Sequence, residues 1–293
     1  HIQTALNFAF DPWMRFMHNI HTPAPYGYGW TALSLLPFSL GLGKFSLTWL
    51  VFKIFSLVSL MLLIYLCKWL AKLYKKVDFN EKYAWLVCLN PLVLIELIGN
   101  AHNDLWMMLP AFVSLGLISF LKNKKLFSKI LCIILSIALL AFSISTKFAS
   151  LLLLPIWLGL FLEATNKSFF KSILNIAKIP LIWWQQNWTL LASILMFLPL
   201  LTNRSQQFHP WYLVWSLAWL PLIRNKLWKN LLLVFSFSSL LRYLPWILNN
   251  DYSPTIQAQQ KIITWAIPVV WLGCYFLKNT IGGKNTIGKK TQT

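Results

Sequence analysis

Acidic residues are nearly missing from this chain. It has 7 Asp and Glu among 293 residues, and charged residues of both signs make up 11%, against about 25% in a soluble domain. That shortage excludes a fold solvated by water on all sides. Cysteine is scarce too. Cys67, Cys88, Cys132 and Cys274 fall in apolar runs with no CxxC spacing and no neighbouring His, which excludes a disulfide framework or a zinc ribbon and reads as buried thiols. No polar stretch is long enough to form a soluble domain.

What is present is apolar surface. Apolar residues make up 58%, aromatic residues 16%, and the mean hydropathy is +0.61. Several runs approach or exceed the ~17–25 residues that cross a bilayer. The chain reads as an all-α polytopic membrane protein, with about nine spans near 46–67, 83–98, 105–121, 130–146, 148–162, 180–201, 211–223, 230–247 and 261–277. The apolar run 30–43 is shorter and ends in Gly41 and Gly43, so it reads as a re-entrant or interfacial helix. Residues 1–277 form one transmembrane domain, with 1–30 an outer loop. Residues 278–293 read as a basic disordered cytoplasmic tail. The sequence opens at His1 on a polar, aromatic loop, and a further span is expected upstream.

Net charge is +19, which in a soluble protein would suggest nucleic acid. Its distribution gives another reason. Alternate loops carry 19 of the 26 basic residues, among them Lys68, Lys72, Lys122, Lys171, Arg224 and Lys284. By the positive-inside rule those loops are cytoplasmic, and no nucleic-acid partner is implied. The opposite loops hold Arg15, Lys44, Lys147, Arg204, Arg242 and Lys261, and Lys53 falls within a span.

The chemistry-bearing side chains gather on the weakly charged outer face. All five His residues fall there, with Asp11, Asp104 and Asp251, and with Glu96 about one turn inside the apolar run. The stretch "GNAHND" (99–104) sets Asn100, His102, Asn103 and Asp104 between two apolar segments. A carboxylate beside a His suits activation of a hydroxyl. Cations at neighbouring helix tops, Lys147, Arg204 and Arg242, suit a phosphate. Glu96, His209 and Tyr212 are expected to line the same cavity. Two other readings of "GNAHND" stand beside this one. It could be a polar turn capping helix ends, or a metal site on His102 and Asp104, although no HxxxH or DxD spacing supports a metal.

Four stretches then carry a resemblance: "NPLVLIELIGNAHNDLWMMLPAFVSLGL", "FDPWMRFMHNIHTPAPYGYGW", "STKFASLLLLPIW" and "FHPWYLVWSLAWLPL". In order and spacing they resemble bacterial GT-C membrane glycosyltransferases, mannosyltransferase-like proteins that use polyprenyl-phosphate sugars. The resemblance covers roughly residues 10–220. It implies a multi-helix fold in the bacterial inner (cytoplasmic) membrane with the active site on the extracytoplasmic face. It also implies a polyprenyl-phosphate sugar donor, a lipid or glycan acceptor, inversion at the anomeric carbon, and no cofactor or metal. Catalysis would fall to Asp104 and His102, or to Asp11 in the first outer loop, where the family's acid lies. Donor phosphate binding would fall to Lys147, Arg204 and Arg242. A transporter or lipid flippase with a polar outer cavity, and a non-catalytic assembly subunit, are the rival readings.

Overall fold

The computed structural model describes residues 26–122, 125–202 and 209–287. Among them there is no strand, and helices and tight helical turns follow one another along the chain. The first helix of the described residues is short, α1 (Tyr28–Leu40), which carries Pro37 and stops at Gly41. At 13 residues it is too short to cross a bilayer, as its sequence suggests. Next come α2 (Phe45–Leu73) and α3 (Glu81–Cys88), then a π-helical segment, Val93–Gly99. α4 (Asp104–Ser119) and α5 (Leu126–Thr146) follow. A 3-10 turn (Phe148–Leu153) leads into α6 (Leu154–Thr165), α7 (Lys167–Ile176) and α8 (Leu181–Phe197). The short α9 (Val214–Leu217) lies between 3-10 turns, and α10 (Lys226–Leu241), α11 (Leu244–Asn249) and α12 (Pro254–Ile287) end the chain. α12 runs past residue 278, where the sequence pattern places the start of the tail.

The fold is that of an all-α polytopic membrane protein. Among the described residues five helical stretches are long and apolar enough to cross a membrane, and α3 with the π-helical segment makes a sixth if the bent pair is one span. This is fewer than the nine apolar runs, for three local reasons. α4 has 16 residues, about 24 Å of helix against a ~30 Å hydrocarbon core. α8 carries the polar run Gln185–Gln186–Asn187. The 211–223 run is chopped into short turns around Pro210 and Pro221.

α4 is the hub. Leu105, Met107, Met108, Ala111, Phe112 and Leu115 are all sealed from solvent. α2 and α5 flank it, and Phe112 stacks on Trp219 at 4.2 Å between centroids. Such close approach needs small contacts, because lipid gives helices no hydrophobic reason to associate. Serines supply them twice, in one arrangement. Ser114 and Ser136 each donate to the other's carbonyl, at 2.7 and 2.9 Å, and the Trp157 indole N–H caps Ser136 Oγ. Ser193 and Ser216 do the same at 3.1 and 2.9 Å, capped by Trp228.

The 83–98 run bends by 58° at its centre. Pro91 has no N–H to give and restricts Asn90. The freed groups are met locally: Asn90 Oδ1 accepts from Leu92 N at 2.9 Å, and its amide donates to Ser236 Oγ.

At the other end of α5, the chain entering α1 is pressed onto Ser145 and Thr146. A Cβ on Gly27 would lie 1.9 Å from the Ser145 carbonyl oxygen, and one on Gly29 would lie 2.8 Å from the Thr146 nitrogen. Only glycine permits that approach. We expect Gly27→Ala to cost about 1–3 kcal/mol in thermal unfolding of the purified protein. Gly273→Ala, which meets nothing within 4 Å, should leave the unfolding temperature unchanged or raise it.

Candidate functional site

The site forms where "GNAHND" turns. The π-helical segment closes with Asn100 N–H donating to the Ile95 carbonyl at 2.8 Å, and Ala101 then takes a left-handed backbone, φ 54°. The reversal makes Asp104 the first residue of α4, where the positive end of the helix dipole meets its carboxylate. α5 ends on the far side at Thr146, and Lys147 turns out in an extended conformation.

Two polar clusters result. In the first, Lys147 Nζ lies 2.7 Å from Asp104 Oδ1, and the Trp215 indole N–H donates to the same oxygen. Asp104 has no exposed surface, and the Lys147 side chain is 14% exposed. The ammonium also stands over the Tyr212 and Trp215 rings, at 5.0 and 5.2 Å. Asp104 Oδ2 is buried with no hydrogen-bond partner, as are both polar atoms of the Asn103 side chain.

In the second cluster Glu96, fully buried, accepts from Tyr243 Oη at 2.7 Å and from the Asn100 amide at 3.1 Å. His102 Nε2 lies 3.4 Å from Glu96 Oε2. His102 and Asp104, paired in the sequence reading, therefore have different partners. His102 belongs with Glu96, and Asp104 with Lys147.

An aromatic stack joins the clusters. The His102 ring lies on Trp211 at 3.8 Å between centroids, and His209 lies on Trp211 at 4.4 Å. Burial lowers the His209 pKa to about 4, and the positive charges of Arg242 and Lys147 add to the effect. His209 thus lies within the fields of Arg242 and Lys147, and its imidazole is neutral at pH 7. Tyr26 sits close enough for the Asp104 carboxylate to push its phenol up, after burial, which acts most strongly.

Of the residues expected from sequence, Asp104, His102, Glu96, Asn100, Asn103, Lys147, His209, Tyr212 and Arg242 come together here. Asp11 and Arg204 lie outside the described residues. Trp215, Trp211 and Tyr243 escape sequence reading, although Trp211, Tyr212 and Trp215 sit at helical i, i+1, i+4 spacing within "HPWYLVW". Among the described residues, no three His, Cys, Asp or Glu side chains group as they would to hold a metal ion.

Residues 10–163, just over half of the chain, match the family model described as "Alpha-(1->6)-mannopyranosyltransferase, N-terminal domain". No curated protein matches the chain, and no solved structure matches it.

Removing one partner of a buried ion pair strands the other charge at a cost of about 3–5 kcal/mol. Lys147→Met and Asp104→Asn should each lower the unfolding temperature sharply. The double variant should lose less than the sum of the two, by about 0.5–3 kcal/mol of coupling. His209 supplies a pH signature. Its folded-state pKa lies below the ordinary 6.5, so the fold prefers the neutral ring. The penalty is absent above pH 6.5 and grows as the pH falls toward 4. Over that window the unfolding temperature of the parent protein should fall faster than that of His209→Gln.

Proposed function

The chain belongs to the alpha-(1→6)-mannopyranosyltransferase family, a mannosyltransferase of the GT-C type, and from that premise we propose how its polar cluster transfers a sugar. The donor is a polyprenyl-phosphate mannose, and the acceptor is a hydroxyl of a lipid-borne or free glycan. Transfer takes place at the extracytoplasmic face of a bacterial inner membrane. Two ion pairs at the opposite end of the helices, Arg224–Asp78 at 2.8 Å and Lys68–Glu81 at 3.9 Å, belong to the lysine-rich loops, which supports this orientation.

The observation that carries the reading is the buried Asp104–Lys147 pair with Asp104 Oδ2 left open. Lys147 and Trp215 occupy one carboxylate oxygen, so the other is an acceptor without a donor. A second hydroxyl of the acceptor sugar, not the reacting one, supplies that donor, and the side chain of Asn103, next in sequence, has both of its polar atoms unused. Asp104 thereby positions the acceptor. His102, held at Nε2 by Glu96, takes the hydroxyl proton as the oxygen attacks the anomeric carbon. The anomeric C–O bond to phosphate breaks on the opposite face, with inversion, and polyprenyl phosphate leaves. Lys147 and Arg242, whose fields meet at His209, offset the negative charge that develops on the departing phosphate. Neutral His209 can donate a hydrogen bond to the same group. Arg204 and Asp11 stay candidates for phosphate binding and for catalysis.

The test uses the purified chain in lipid nanodiscs, polyprenyl-phosphate mannose and a mannose oligosaccharide. A new α-linked mannose should form, and His102→Gln should lower kcat by about 100-fold or more with little change in donor KM. Wild-type turnover in that variant would remove His102 from the chemistry. Movement of the sugar lipid across the bilayer without a new glycosidic bond would favour the transporter reading.

A further inference from the structure

A second cleft opens beside the site, on the other side of the "GNAHND" turn. Its volume is about 310 Å³, and Trp30, Thr48, Trp49, Phe52, Lys53 and Asn100 line it. It sits at the N-terminal end of α2, where Trp49, Leu50 and Ile54 are about half exposed and face outward. Lys53 lies roughly 12 Å into this helix, a depth at which a cation in hydrocarbon is costly.

Among the described residues no acid balances Lys53. Its ammonium donates to the Gly99 carbonyl and stands 5.0 Å from the Trp49 ring centroid. An ammonium has three donors, so two are left over. Thr48, 2% exposed, lines the same cleft, and its hydroxyl has no hydrogen-bond partner. Asn100 spends one amide hydrogen on Glu96 and keeps the other. The cleft is therefore rich in donors, carries one positive charge, and is walled by the aromatic rings of Trp30, Trp49 and Phe52.

We propose that this cleft holds the phosphate head of an anionic phospholipid, taken from the leaflet at the active-site end of the helices. Phosphate oxygens satisfy the Lys53 and Thr48 donors together and neutralise the ammonium. A zwitterionic head fits less well, because its own cation would meet Lys53 and a Trp49 face that Lys53 already covers. The acyl chains run down the exposed side of α2, past Leu50, Ile54, Leu57 and Met61. Asn100 connects the lipid to Glu96 and so to His102, which places a structural lipid three polar contacts from the proposed base. The choice of a phospholipid over the sugar carrier rests on the donor phosphate lying at Lys147 and Arg242. Lipid binding is read without turnover, so failure of this assignment and failure of the proposed reaction show separately.

Native mass spectrometry of the full chain in detergent tests the assignment, with phosphatidylglycerol, phosphatidylcholine and polyprenyl phosphate as probes. One phosphatidylglycerol should be retained about tenfold more tightly than phosphatidylcholine, the effect of one charge-assisted hydrogen bond. Lys53→Gln should abolish that preference, and Lys53→Arg should keep it. Thr48→Val, which preserves shape, should weaken phosphatidylglycerol retention by about threefold to tenfold, and it answers the question should Lys53→Gln fail to fold. An equal affinity for the two phospholipids, a preference unchanged in Lys53→Gln, phosphatidylglycerol retention unchanged in Thr48→Val, or displacement of phosphatidylglycerol by equimolar polyprenyl phosphate would overturn the assignment.

Discussion

The end of the helices that carries the polar clusters depends on one ion pair. α4 is enclosed by protein, so a carboxylate on its first residue has no water to solvate it. A buried carboxylate needs a partner, and Lys147, at the end of α5, supplies it at 2.7 Å. The pair fixes the end of α5 against the start of α4. Ser143, one turn back on α5, donates to the Met107 carbonyl at 2.7 Å, and Ser114 and Ser136 continue the same contact further down. The register of the two helices is thus pinned at three heights. The glycine-containing entry to α1 then closes over Ser145 and Thr146 and brings Tyr26 into the field of Asp104.

The same low-dielectric setting explains why the two carboxylates are kept apart. Two buried anions sharing one site would repel strongly, and each here has its own complement. Asp104 takes a lysine and an indole, and Glu96 takes a phenol, an amide and an imidazole. Between the clusters lies Trp211, with an imidazole on each face. The stack needs little conformational freedom and excludes water from the space between the groups, which strengthens every charge interaction around it. His209 lies in that field, since burial and then the charges of Arg242 and Lys147 lower its pKa.

Much of this was legible in the sequence, and the reason differs by element. α2, α5, α10 and α12 announce themselves because a long apolar run has one stable form in lipid. "GNAHND" stands out because polar residues between apolar segments are costly unless used. The Asn90–Pro91 pair carries the signal for the bend, yet in hydropathy the run looks unbroken. Partners are another matter. Trp215 is 111 residues from Asp104, and Tyr243 is 147 residues from Glu96, so no spacing rule connects them. Sequence proximity also suggested pairing His102 with Asp104, while the backbone turn sends His102 to Glu96 and Asp104 to Lys147.

That turn shows how a strained residue serves the site. A left-handed backbone costs a non-glycine residue about 1–2 kcal/mol, and Ala101 adopts one, φ 54°. Had the helix simply continued, His102, six residues after Glu96, would project from another face. The π-helical segment widens the last turn by one residue, and Ala101 then bends the chain back so that His102 N–H donates to the Glu96 carbonyl at 3.3 Å. It resembles a helix-ending left-handed cap enlarged by one residue. As a result Asn100 and His102, on either side of Ala101, both reach the Glu96 carboxylate, while the next two residues begin α4 with Asp104 at the dipole's positive end. Six residues thereby serve two carboxylates in separate environments, and the energy stored at Ala101 is offset by the hydrogen bonds that its conformation makes possible.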